Sequence, residues 1–333
     1  MRSSPARRRS FKADRRTAAG PDGVLLVDKP PGITSHDAVE RLRKVPGFHR
    51  TGHAGTLDPM ATGLLVVCVN EGTKIAGYLM EGDKEYLAAV RLGVVTDTQD
   101  VTGRVVREGH WHGVTRADLD GALRAFVGEI TQVPPMFSAL KHEGVRLHEL
   151  ARAEREVERA PRRVQVYAMT IEHFDPPEVT LRIACSKGTY VRTLAADLGE
   201  ALGCGATLSA LRRTRSGIFS IDEALALDAL IEDDGTQATA RLIPLPAALP
   251  EFRPLELDAA GAERVRHGQM PDPPPDLAAG ERVKVIAPAG SLVALAQGVA
   301  ERSGRVRLRA LRVFHGDKIG AASEDGHEAR RRK

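Results

Sequence analysis

The chain has 333 residues, 42% hydrophobic and 28% charged, a globular balance with room for two domains. No run approaches the ~18 apolar residues of a membrane span, and Cys68, Cys185 and Cys204 lack CxxC spacing, which excludes a disulfide framework and a cysteine-rich zinc site and points to a reducing cytoplasm. The net charge of +4 is uneven: residues 1–20 carry +6 and the final four residues +4, so the body is at −6 and the basic pI does not by itself indicate a nucleic-acid-binding fold.

Residues 1–20 are rich in Arg, Ser and Ala, lack periodicity, and read as a disordered extension with no apolar segment to make a secretory signal. Gly23–Asp28 is a short apolar run closed by Lys29-Pro30-Pro31-Gly32, a strand entering a rigid turn. Thr34 to Asp37 offer helix caps ahead of Ala38, Val39 and Leu42 at helical spacing. Further strands are expected at Gly63–Val69, Tyr86–Leu92, Val164–His173 and Val179–Ser186. Helices are expected at Arg116–Val127, Arg146–Glu156, Tyr190–Leu202 and Ile221–Glu232. Several strands follow one another without an intervening helix, which favours α+β over a doubly wound parallel sheet. Pro244 to Pro254 is a proline-rich domain boundary, and beyond it Arg282–Ala287, Ser291–Gln297 and Val306–Val313 read as a small β domain. Pro271 to Pro275 form a stiff loop inside it.

The chemistry concentrates in three places. Gly52 to Gly63 puts three glycines, His53 and Asp58 directly before an apolar strand, a shaped loop rather than a linker. It matches no GxxxxGK[ST], HExxH or GxSxG pattern. In Ser186 to Leu194, Tyr190 and Arg192 are two apart, so on an extended segment they share a side. An Arg beside a buried carboxylate is expected to lower its pKa. Lys84-Glu85-Tyr86 places one of only four tyrosines at a strand start. Arg212, Arg213 and Arg215, and Arg302, Arg305, Arg307, Arg309 and Arg312, form acid-free clusters that suggest phosphate contact in an acidic body.

GVLLVDKPPGITS, GHAGTLDPMATGLL, Lys84-Glu85-Tyr86, QVPPMFSALKHEGVRLHELAR, SKGTYVRTLAADLG and LSALRRTRSG, in this order, closely resemble the bacterial tRNA pseudouridine synthase B (TruB) family over residues 23–250. The resemblance implies conversion of uridine 55 in the tRNA T-loop to pseudouridine, with no cofactor or metal. It implies a pseudouridine-synthase fold, a largely antiparallel central sheet flanked by helices over residues 21–250. Residues 133–163 would be an insertion closing over RNA, 251–316 a PUA-like β-barrel reaching the acceptor side of tRNA, and 317–333 a charged tail. The protein is expected to be a cytoplasmic monomer. Asp58 falls on the family's essential aspartate, acting at C1′ or C6 or through a glycal. Tyr86 falls on the tyrosine stacking on the flipped uracil, Arg192 on the aspartate's partner, and Tyr190 on a pocket tyrosine. His53 matches the histidine supporting the extruded nucleotides, Leu211 a pocket-floor leucine, and Lys29 a lysine near the entrance. His148 and Glu154 depart from the family's frequent Tyr and Gly. A tRNA-binding chaperone and a synthase for another RNA are the rival readings.

Overall fold

The two unbroken apolar runs near the start are strands β1 (Gly23–Lys29) and β3 (Thr62–Val69), linked by β2 (Thr51–His53), in a computed structural model that describes residues 20–137, 141–142, 144–146, 157–302 and 304–315. β1 and β3 pair antiparallel from Gly23↔Val69 to Lys29↔Gly63. Both faces are buried, which is why neither strand alternates polar and apolar residues. Leu25, Val27, Leu65 and Val67 feed one core, and Val24, Leu26, Leu64 and Val66 the other, as a period of two requires.

The remaining strands are β4 (Lys84–Leu92), β5 (Val94–Thr96), β6 (Val105–Glu108), β7 (Gly128–Gln132), β8 (Lys141–His142), β9 (Val145–Arg146), β10 (Arg162–Asp175), β11 (Glu178–Cys185), β12 (Ala206–Ser216), β13 (Phe219–Ser220) and β14 (Leu225–Ala226) in the first unit. The main sheet has ten strands in the order β14-β1-β3-β12-β4-β11-β10-β7, with β2 on β3 and β13 on β12. Only β1–β14 and β3–β12 are parallel, so the sheet is largely antiparallel and the class is α+β. Helix Ser35–Leu42, closed by a Thr34 capping box, buries Ala38, Val39 and Leu42 against the first core. Helix Val191–Ala201 buries Val191, Leu194, Ala195 and Leu198 there too.

β12 was not foreseen as a strand. Register shifts between Leu208 and Ala210 and between Arg213 and Arg215 break its alternation, and Leu208, Leu211 and Arg213 are among its buried residues. The helix expected over Ile221–Glu232 is broken: Ser220 caps one 3₁₀ turn, Ile221–Glu223, then Leu225 and Ala226 pair with β1 before helix Leu227–Ile231. Arg116–Leu123 is helical, with Arg124–Phe126 tightening to 3₁₀. Arg146, expected to open a helix, belongs to the β8–β9 ladder. The rest of that expected helix, His148, Glu154, and most of both charged extensions lie outside the described residues.

Strands β15 (Arg253–Glu256), β16 (Arg282–Ile286), β17 (Leu292–Ala300) and β18 (Val306–Val313) pair in that order as a four-stranded sheet around Val265, Val283, Val285, Val293 and Leu308. The proline-rich boundary is packed rather than loose: Leu245, Leu249 and Phe252 join Leu295 and Phe314 in the second core. Lys284 Nζ donates to the carbonyls of Pro246 and Leu249 at 2.8 and 2.9 Å. Among the described residues no helix is long and apolar enough to cross a membrane.

Candidate active site

Asp58 stands on the loop between β2 and β3, which side chains from other segments fasten on both sides. Ser35, 1% exposed at the start of its helix, donates Oγ to the Leu57 carbonyl (3.0 Å) and accepts from the Leu57 amide (2.8 Å). Arg213 donates Nε to the Leu64 carbonyl (2.7 Å) and Nη2 to that of Gly55 (3.1 Å). Lys29 is wholly buried and donates Nζ to the carbonyls of Pro30 (2.8 Å), Ile33 (2.8 Å) and Pro59 (3.3 Å). It therefore fastens the loop and lies outside the cleft lining, where a lysine at the entrance was expected. Burial pulls its pKa down to about 8, against the attraction of Asp58 and Asp37.

Asp58 faces Arg192 in a two-point ion pair, Nε to Oδ2 at 2.9 Å and Nη2 to Oδ1 at 3.3 Å. The carboxylate keeps 35% of its side-chain surface open, the face a substrate could reach. Arg192 is buried and also donates to the carbonyls of Phe137 (2.7 Å) and Thr98 (3.1 Å), with Asp100 Oδ2 3.7 Å from Nη1. Packing desolvates the Asp58 carboxyl and raises its pKa, and Asp100 adds to the rise. Arg192 pulls the other way without cancelling it. The arginine lowers this pKa as expected, but burial outweighs the ion pair and the net shift is upward. Tyr190 and Arg192 also do not share an extended segment. Tyr190 is the N-cap and Arg192 lies in the first helical turn. Buried Gln132 fixes this junction, accepting from the Tyr190 amide (3.0 Å) and donating to its carbonyl (3.2 Å).

Asp58, Tyr86, Tyr190, Arg192, Leu211 and Arg213 line one cleft of about 610 Å³. Tyr86, 8% exposed on β4, sits in register with Arg213 on β12. Burial raises the pKa of its phenol and the Arg213 charge opposes that rise. Lys84 lines the cleft too, held by the carbonyls of Met80 (3.2 Å) and Gly82, and burial lowers its pKa to about 8. His53 ends β2 outside this lining; burial and then Arg213 lower its pKa, favouring the neutral ring. The cleft thus brings together five of the seven residues singled out from the sequence and leaves His53 and Lys29 outside its lining.

The basic cluster on β12 is corrected as well. Arg212 pairs with both oxygens of Asp28 (3.0 and 2.7 Å), and Arg213 is buried, so only Arg215 of the three is exposed. Ser35, Asp100, Gln132 and Arg213 were missed as site residues. Ser35 carried only a capping signal and Arg213 was hidden in a charge run. Among the described residues no group of three or more His, Cys, Asp or Glu could hold a metal. A carboxylate opposite an arginine, beside an aromatic wall, suits chemistry that develops positive charge on a sugar carbon.

Two family models match the chain: the TruB family pseudouridylate synthase N-terminal domain over residues 43–191 and the tRNA pseudouridylate synthase B C-terminal domain over residues 192–249. A tRNA pseudouridine synthase B of Geobacter sulfurreducens is 45% identical over 304 residues, 88% of this chain and 100% of that protein. Another, of Chromohalobacter salexigens, is 48% identical over 257 residues, 77% of this chain and 84% of that protein. Among solved structures, a Cbf5–Nop10–Gar1 complex contains a chain similar to this one at TM-score 0.64 and 26% identity, over 87% of this chain and 84% of that one.

Proposed function

This chain belongs to the TruB family of pseudouridylate synthases, and from that premise we propose how its cleft works. The protein is an isomerase that converts uridine to pseudouridine in tRNA. We assign the target as uridine 55 of the T-loop, flipped from its stack into the cleft and held against Tyr86. Flipping costs a few kcal/mol, and stacking on an aromatic ring returns about 1–3 kcal/mol.

In this reading Asp58 bonds to C1′ as the C1′–N1 bond breaks with its electron pair on the base. The uracil turns, C5 attacks C1′, and the pair of the C1′–O bond returns to Asp58. The C5 proton then leaves and N1 gains one. Arg192 aims the carboxylate, Tyr190 and Leu211 wall the base, and Lys29 steadies the loop through Pro59. His53 supports neighbouring extruded nucleotides at the edge of the site. The segment 133–163 closes over the T-arm, and the C-terminal unit, a PUA-like domain, meets phosphates on the acceptor side through exposed arginines of β18. The enzyme acts as a cytoplasmic monomer.

The observation that carries this reading is the Asp58–Arg192 pair opening into the cleft walled by Tyr86. The experiment is tritium release from a tRNA transcript labelled at uridine C5, with Asp58→Asn alongside. Near-stoichiometric release by wild type, against less than ~10⁻⁴ of that rate in a variant that still binds tRNA, is expected. Release by Asp58→Asn would overturn the assignment, and binding without release by wild type would favour a tRNA chaperone.

A further inference from the structure

Arg213 is the largest fully buried side chain among the described residues, 1% exposed, and it lines the cleft. Its hydrogen bonds end on neutral groups, the carbonyls of Leu64, Gly55 and Thr56 and the phenol of Tyr86. No ion pair among the described residues includes it. An unpaired buried charge is costly, and a neutral amide could satisfy part of the same acceptor set. The backbone that carries it is closely fitted to the loop: a Cβ at Gly63, φ +94°, would collide with the Arg213 main chain. Three groups, two of them in the cleft lining, register the charge. After burial itself, Arg213 is the next influence on His53, on Lys84 and on Tyr86.

We propose that Arg213 is a positioning residue with two effects: it fixes the loop that carries Asp58, and it keeps an unneutralised positive charge behind Tyr86 towards which uracil departs as an anion. The second effect rests on the reaction proposed above. When C1′–N1 breaks, the pair passes to the base and negative charge spreads over N1, O2 and O4. A fixed cation in a wall of low polarisability stabilises that charge without having to reorganise. The charge is quenched when C5 bonds to C1′ and a proton returns to N1.

The test compares Arg213→Lys and Arg213→Gln in the full chain. Thermal melts, tRNA affinity and single-turnover tritium release are measured for both, beside wild type and Asp58→Asn. Lysine keeps the charge and loses the fork of donors; glutamine keeps a donor and loses the charge. The rate should fall roughly 10²-fold or more in Arg213→Gln and less than about 10-fold in Arg213→Lys, with affinity changed less than about 3-fold. Equal losses, or a faster glutamine variant, overturn the charge role. If either variant fails to fold, wild type is titrated with free 5-nitrouracil, which ionises readily, and with neutral uracil. The anion should bind at least ~10-fold more tightly; equal or weaker binding overturns the proposal. Absent tritium release by wild type would sink the proposed reaction, and the uracil comparison would still judge the charge.

Discussion

Replacing Ser35 with Ala probes the site without touching the cleft. The hydroxyl is 1% exposed and makes two bonds to one residue, donating to the Leu57 carbonyl at 3.0 Å and accepting from its amide at 2.8 Å. The helix keeps its cap, because Thr34 and not Ser35 accepts from the Asp37 amide. Only one oxygen is removed, so the cavity term is small. The cost comes from two buried main-chain groups left without a partner, each about 1–3 kcal/mol if nothing relaxes. With partial relaxation the expected loss is about 2–3 kcal/mol, a fall in Tm of roughly 4–6 °C at about 2 °C per kcal/mol for a chain of this size. Leu57 adjoins Asp58, so the loosened loop misplaces the carboxylate, and a misplacement near 1 Å costs about 10²-fold in rate. Urea unfolding gives the stability and single-turnover tritium release gives the rate. A variant within ~0.5 kcal/mol of wild type that turns over at the wild-type rate would refute the claim that this clamp positions Asp58.

The pH profile follows from the raised Asp58 carboxyl. In the proposed reaction the ionised form attacks, so the rate should fall as pH drops through a value above the ordinary carboxylate range. Arg192→Met removes the largest opposing pull and should move that acid limb higher still; a limb unchanged from wild type contradicts the balance described. Salt dependence separates the two arginine clusters. Replacing Arg305, Arg307 and Arg309 with Ala should flatten the slope of tRNA affinity against log salt by about one unit for each phosphate that an arginine no longer neutralises. Arg212→Ala should leave that slope unchanged and lower the melting temperature, because Arg212 is engaged by Asp28.

The central strands were legible because burial on both faces writes itself as an unbroken apolar run, as in Leu64 to Val69. The Asp58 loop and Tyr86 were legible through motif resemblance, and the cleft gathers both. β12 was not, because its two bulges leave Ala206, Thr207, Leu208, Leu211, Arg213 and Ser216 buried, a series with no constant period of two or 3.6. The same irregularity disguised Arg213: in a run of arginines, composition suggests phosphate contact, while only the register with Tyr86 shows a buried side chain. The broken helix at Ile221–Glu232 had the right local signals and lost to a long-range pairing, Val27↔Leu225. Asp100 and Gln132 gave no local sign of the site, since each reaches it through a residue far along the chain, Arg192 and Tyr190, and the local bonds of Asp100 to Thr98 and Thr102 read as a turn.

The position of β12 in the sheet explains why the site cannot be assigned to either half of the chain. Its residues come late in sequence, yet it lies between β3 and β4, both early. Arg192, just past the junction of the two matched family segments, reaches back to Asp58, and Arg213 reaches back to Gly55 and Leu64. Asp58 on its own would be a solvated carboxylate in a glycine-rich loop. Insertion of β12 supplies the floor at Leu211, the partner strand for Tyr86, and the clamp beneath Gly55. The helix that precedes it brings Arg192. Burial then raises the carboxyl pKa while the ion pair opposes that rise and orients the carboxylate. Both effects require the completed sheet, so the chemistry of Asp58 is a property of β12's placement as much as of the loop that carries it.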